Sequence, residues 1–141
     1  MGGNVVAGFM LYNFLKSLPV EITMHNIGSV DSIATVIFMA GGRRLATPYS
    51  TFLFHGVQLT VAAKKSYTPN QLRELLNGLE ADDARIARAI MQNTKLTEED
   101  VKRLSAQGET MSPNTALEKG VVHKINNWRI TDGCPIVNIL V

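Results

Sequence analysis

The sequence predicts an α/β domain. Three observations carry that expectation: short apolar runs ending near turn residues, longer segments with helical apolar spacing, and the alternation of the two along 141 residues. A chain of this length, 45% hydrophobic and 18% charged, has the make-up of one soluble domain with a substantial core.

Residues 4–18, "NVVAGFMLYNFLKSL", place apolar side chains at 5, 6, 9, 10, 14, 15 and 18, which is helical spacing, and Pro19 stops the run. "VEITMH" (20–25) reads as a buried strand leading into a turn at Gly28. Residues 32–40 return to helix and end at Gly41-Gly42. Two short strands are expected near 43–47 and 51–55, with Pro48 marking the turn between them. Residues 56–67 form a looser arm or hairpin. Thr68-Pro69 then opens the longest helix, with Thr68 as N-cap, Pro69 at the first position and Gln71 closing a capping box. That helix runs to about Asn93.

"LTEEDVKRLSA" starts another helix, its acids in the first turn where the helix dipole favours them. "SPNTALEKG" is a short capped helix ending at Gly120, "VVHKI" a strand, and "PIVNILV" a closing strand. No internal repeat and no low-complexity linker interrupts the chain.

Composition excludes several function classes. A net charge of +2 without Lys/Arg runs or aromatic–basic interleaving argues against nucleic acid and against an anionic membrane. No apolar stretch approaches the roughly 18 residues of a spanning helix. Cys134 is the single cysteine, which excludes an internal disulfide framework and fits a reducing, cytoplasmic compartment. The first charge is Lys16, so the N-terminus does not read as a signal peptide. The three histidines lack grouped Cys or carboxylate partners at ligand spacing, so neither a metal nor another cofactor is expected.

The chemistry-bearing residues cluster around two junctions. In "IGSVDSIATVIFMAGG" (27–42), Ser32 stands between a strand–turn segment and an apolar helix. It reads either as a helix cap or as a nucleophile exposed at a turn, with the helix N-terminus aimed at developing negative charge. His55 ends the strand "TFLFH" and suits a general base reaching a neighbouring loop, with His25 and His123 as rivals. Gly2-Gly3 reads as a flexible start or as backbone N–H groups offered to an oxyanion. Asp31 is open between capping and perturbing Ser32's surroundings.

The ungapped stretch from Gly2 to Gly41, "GGNVVAGFMLYNFLKSLPVEITMHNIGSVDSIATVIFMAG", resembles the proteolytic subunits of the ATP-dependent Clp protease. "TPYSTFLFHG" resembles that family's Pro-x-Ser…His strand, and "ALEKGVVHKI" its Ala-x-x-x-Gly-[LIV]-Val ending. The resemblance implies the fold shared with the crotonases, built of repeated β-β-α units with a protruding long "handle" helix, here 69–93. It implies a serine endopeptidase acting on unfolded polypeptides. Ser32 is then the nucleophile, His55 the base, and the N–H groups of Gly3 and Ile33 the oxyanion hole. The segment after His55 would take the substrate as an added strand. A homo-oligomeric ring and an ATP-driven unfoldase of the AAA+ class are the implied partners.

Three features depart from the family pattern. Asp31 stands where members carry a small residue. Counting back from Gly120 puts the triad acid at Gly108, which leaves Glu109, one residue on, as the expected third member. The family's first strands have no counterpart, so the chain reads as an N-terminally truncated single domain over 1–141. Two alternatives stay open: a crotonase-like enzyme binding coenzyme A thioesters, and a non-catalytic ring subunit.

Overall fold

The structure, a computed structural model, describes residues 3–60, 65–129, 133, 135 and 137. Gly2, Cys134 and most of the expected strand 135–141 lie outside the described residues.

Helix α1 (Val5–Ser17) is capped by Asn4, whose side chain accepts from the Ala7 amide at 3.0 Å. Strands β1 (Thr23–Asn26) and β2 (Ser29–Asp31) lead into α2 (Ile33–Phe38). Strands β3 (Arg43–Ala46) and β4 (Thr51–Leu53) precede the 25-residue α3 (Pro69–Asn93). The chain then forms α4 (Glu98–Gln107), β5 (Thr110–Met111), α5 (Pro113–Glu118) and β6 (Lys124–Ile125). Described residues 56–60 and 65–67 form neither helix nor strand.

β1-β2-α2 and β3-β4-α3 are successive units with the same routing. The first strand of each joins a sheet of order β1-β3-β6, and the second joins a sheet of order β2-β4-β5. Every pairing is parallel except β4 with β5. The strands on either side of Pro48 therefore do not pair with each other. Asn26 makes the switch between sheets possible. It is 2% exposed, its Nδ2 donates to the Thr51 carbonyl at 2.7 Å, and its Oδ1 accepts from the Gly28 amide at 3.0 Å. One side chain thus satisfies backbone groups that neither sheet can pair where the chain crosses between them. β2 and β5 were not legible as strands; each is three residues or fewer, too short to show alternation.

The main core joins Phe38, Met39, Phe52, Phe54, Ile90, Leu104 and Val121, with Phe38 and Phe52 edge-to-face at 5.3 Å. A smaller cluster of Ile33, Val36 and Ala89 sits under Val5, Phe9 and Tyr12 of α1. α3 begins with the expected capping box between Thr68 and Gln71. Its C-terminal part buries Ala89 and Ile90, whereas Leu72 and Leu76 near its start are 54% and 53% exposed.

Arg44 locks the two halves of the chain together. Its buried guanidinium donates to four carbonyls: Val121 at 2.8 Å, Asn93 at 2.7 Å, Gly120 at 3.1 Å and Gly41 at 3.1 Å. Burial pushes its pKa below the ordinary value, and the carbonyls at the C-terminal end of α3 and around Gly120 supply the compensating negative dipoles.

Candidate active site

Parallel pairing brings the two junctions together. Ser29, Val30 and Asp31 lie in register with Thr51, Phe52 and Leu53, so both strands deliver their next residues to the same sheet end. The Ser32 amide continues the ladder by donating to the Leu53 carbonyl at 2.8 Å. Ser32 and His55 both line one cavity of about 260 Å³, together with Gly3, Thr35, Phe54 and Val57.

Ser32 does not cap α2. It holds the N-cap position with no side-chain hydrogen bond to the helix, and its backbone is at φ 56°, ψ −130°. It is the sole non-glycine with positive φ among the described residues. A side chain in that region costs roughly 1–3 kcal/mol and persists only where neighbours enforce it. Here the enforcement is visible: the amide is tied to Leu53, and the carbonyl accepts from both the Thr35 amide (2.9 Å) and Thr35 Oγ1 (2.7 Å). Thr35 is 1% exposed and was not singled out from the sequence. Its one available signal was a hydroxyl three residues after a junction serine, which does not stand out in a helix.

His55 Nδ1 lies 2.8 Å from the Gly56 carbonyl. A carbonyl only accepts, so Nδ1 is the donor here; in the neutral imidazole Nε2 then keeps its lone pair, the form a general base needs. Of the rival histidines, His25 lies in β1 of the other sheet and His123 immediately precedes β6. His123 Nδ1 accepts from the Arg44 amide at 3.1 Å, and burial, followed by the Arg44 charge, lowers its pKa. His25 pairs in register with Leu45, and its buried Nε2 has no hydrogen-bond partner among the described residues.

Glu109, the expected third member, is engaged elsewhere on both sides of its residue. Its carboxylate is engaged by Arg103 Nη1, while its carbonyl accepts from the Phe54 amide at 3.1 Å. Gly108, at the place of the expected triad acid, is the left-handed C-cap of α4 with φ 62°. That backbone conformation favours glycine and explains its presence there. Asp31 is held below the ordinary carboxylate range, first by a hydrogen bond from Ser29 Oγ and in smaller part by the charge of His55.

Gly3 lines the cavity, and Ile33, 3% exposed, opens α2 immediately after Ser32. As the first helical residue, Ile33 has an N–H that precedes the intrahelical ladder. Among the described residues, no three His, Cys, Asp or Glu side chains gather as metal ligands would, and no helix is long and apolar enough to cross a membrane.

Residues 1–129 match the family described as Clp protease. The chain is 27% identical over 128 residues to the ATP-dependent Clp protease proteolytic subunit 1 of Chlamydia muridarum, covering 88% of this chain and 65% of that protein. It is 26% identical over 126 residues to the ATP-dependent Clp protease proteolytic subunit of Deinococcus radiodurans, covering 88% of this chain and 60% of that protein. The chain thus spans 60–65% of the length of these relatives. With the match running over 129 of its 141 residues, the chain belongs to the Clp protease family.

Proposed function

We propose that this chain is a serine endopeptidase acting on unfolded polypeptides, with Ser32 as nucleophile and His55 as general base. The observation that carries the reading is the pairing, on one cavity, of a strained Ser32 that does not cap its helix and a His55 whose Nδ1 proton is already committed. Ser32 Oγ attacks the scissile carbonyl as His55 Nε2 takes its proton. The N–H groups of Gly3 and Ile33 receive the oxyanion, and His55 then returns the proton to the leaving amine. Water then takes the amine's place: it attacks the acyl carbonyl as His55 Nε2 accepts its proton, and that proton passes to Ser32 Oγ as the acyl–Oγ bond breaks and the carboxylic acid product leaves. Val57, Gln58 and Thr60 flank the cavity along the arm after His55, where an extended substrate would add as a strand.

A homo-oligomeric ring is part of this proposal, as is an AAA+ unfoldase partner in a cytoplasmic setting. The exposed Leu72 and Leu76 on α3, and the stripe of Val6, Met10 and Phe14 on α1, support assembly, since such apolar surface favours burial against another subunit.

The test is hydrolysis of a fluorogenic peptide and of an unfolded protein by wild type and by Ser32→Ala. Cleavage lost in the variant with an unchanged fold supports the reading. Assembled wild-type rings without cleavage would favour the non-catalytic subunit instead.

A further inference from the structure

We propose that Asp83 on α3 is a positioning residue for His55, acting through the single peptide group that joins Gly56 to Val57. The inference rests on the reading of Ser32 and His55 as a catalytic pair.

Two hydrogen bonds meet on that peptide. Its carbonyl, Gly56 O, accepts from His55 Nδ1 at 2.8 Å. Its N–H, on Val57, donates to Asp83 Oδ1 at 2.8 Å. The imidazole and the carboxylate are therefore joined as Nδ1–H···O=C–N–H···Oδ1, with one amide plane between them. An amide whose N–H donates to a carboxylate gathers charge on its oxygen, which makes that oxygen a better acceptor. The flanking backbone fixes the plane from the other side: the Gly56 amide donates to Ser105 of α4 at 3.0 Å, and the Phe54 amide to Glu109 at 3.1 Å.

A triad carboxylate holds the base in one tautomer and one orientation. Neither residue at the expected place does so here, because Gly108 has no side chain and Glu109 is paired with Arg103. Asp83 supplies the orientation at one remove. Asp31 of β2, beside Ser32 in the chain, accepts from Ser29 Oγ. Asp83 is exposed, so solvent screens its direct field at the imidazole, and its effect is chiefly geometric. An asparagine, which keeps the Oδ1 acceptor, therefore replaces it far better than an alanine.

The experiment follows two signals in the full chain: the rate at which a fluorophosphonate labels Ser32, read by intact mass, and the ring ¹⁵N shifts of His55. Asp83→Ala is expected to slow labelling by about 10- to 100-fold, the scale of a catalytic group displaced by about 1 Å. Its His55 shifts should move away from the Nδ1-protonated tautomer. Asp83→Asn should restore most of the rate and the wild-type shifts. Unchanged labelling and unchanged shifts in Asp83→Ala would overturn the proposal, as would Asp83→Asn behaving like alanine. If wild type is not labelled at Ser32, the peptidase reading fails and the ring shifts alone decide: a moved tautomer in Asp83→Ala supports the relay, an unmoved one overturns it.

Discussion

Gly8 on α1 and Ile33 at the start of α2 leave no room between them for a methyl group: a Cβ on Gly8 would stand 2.2 Å from Ile33 Cγ1. The residue that follows Ser32 is therefore braced by a glycine in a different helix. Gly8→Ala gains helix propensity of about 1 kcal/mol but overpacks this crossing by about 1–3 kcal/mol. The net expectation is destabilisation with slower labelling of Ser32. In an Ile33→Ala background the clash with Cγ1 is gone, and Gly8→Ala should become stabilising. Urea denaturation of the four proteins measures that reversal of sign.

The backbone at Ser32 makes a separate prediction. Both Ser32→Ala and Ser32→Gly remove the hydroxyl and should abolish labelling and cleavage. Alanine keeps the positive-φ strain, whereas glycine adopts φ 56° freely, at some cost in unfolded-chain entropy. Ser32→Gly should therefore be more stable than Ser32→Ala by about 1 kcal/mol in a chemical melt. Equal stabilities would mean that the elbow is not strained.

Arg44 should be among the most sensitive positions outside the cavity. Arg44→Met leaves the carbonyls of Gly41, Asn93, Gly120 and Val121 without their donor, with an expected loss of about 3 kcal/mol or more. Arg44→Lys keeps the charge but cannot span four acceptors, so it should recover less than half of that loss. Denaturant midpoints at constant slope report both values.

His123 should make stability depend on pH. Burial lowers its pKa in the folded chain, so below the ordinary value of 6.5 the unfolded chain binds the extra proton first. Its contribution is fully present above pH 6.5 and falls as the pH drops from there toward the lowered folded value. His123→Asn keeps an acceptor near the Arg44 amide and removes the titration, so the stability–pH curve should flatten in that window. An unchanged slope would assign the dependence to other groups.

Much of the fold was legible because local chemistry agreed with tertiary structure. Thr68, Pro69 and Gln71 announce the start of α3, and Ser112-Pro113 that of α5, because caps are encoded within a few residues of each other. The two-sheet routing was not legible. It depends on Asn26 meeting Thr51 across 25 positions, and on β2 and β5, which are too short to carry a period. Within the site, Ser32 and His55 were candidates because each sits where an apolar run meets a turn, and the resemblance to the Clp protease subunits singled them out. Thr35, Asp83 and Arg44 did not, since their partners are backbone groups and no residue pattern marks which distant carbonyl or amide a side chain will reach. The expectation for Glu109 came from counting along the chain, and it does not see Arg103 closing on that carboxylate.

The most direct measurement is the site and base-dependence of covalent labelling. The wild-type protein is treated with a fluorophosphonate and mapped by peptide mass spectrometry, alongside His55→Ala and Ser32→Ala. The account predicts one adduct, on Ser32, formed rapidly in wild type, slower by about 100-fold or more in His55→Ala, and absent in Ser32→Ala. Labelling of wild type at another residue, or labelling of Ser32 at the same rate without His55, would contradict it.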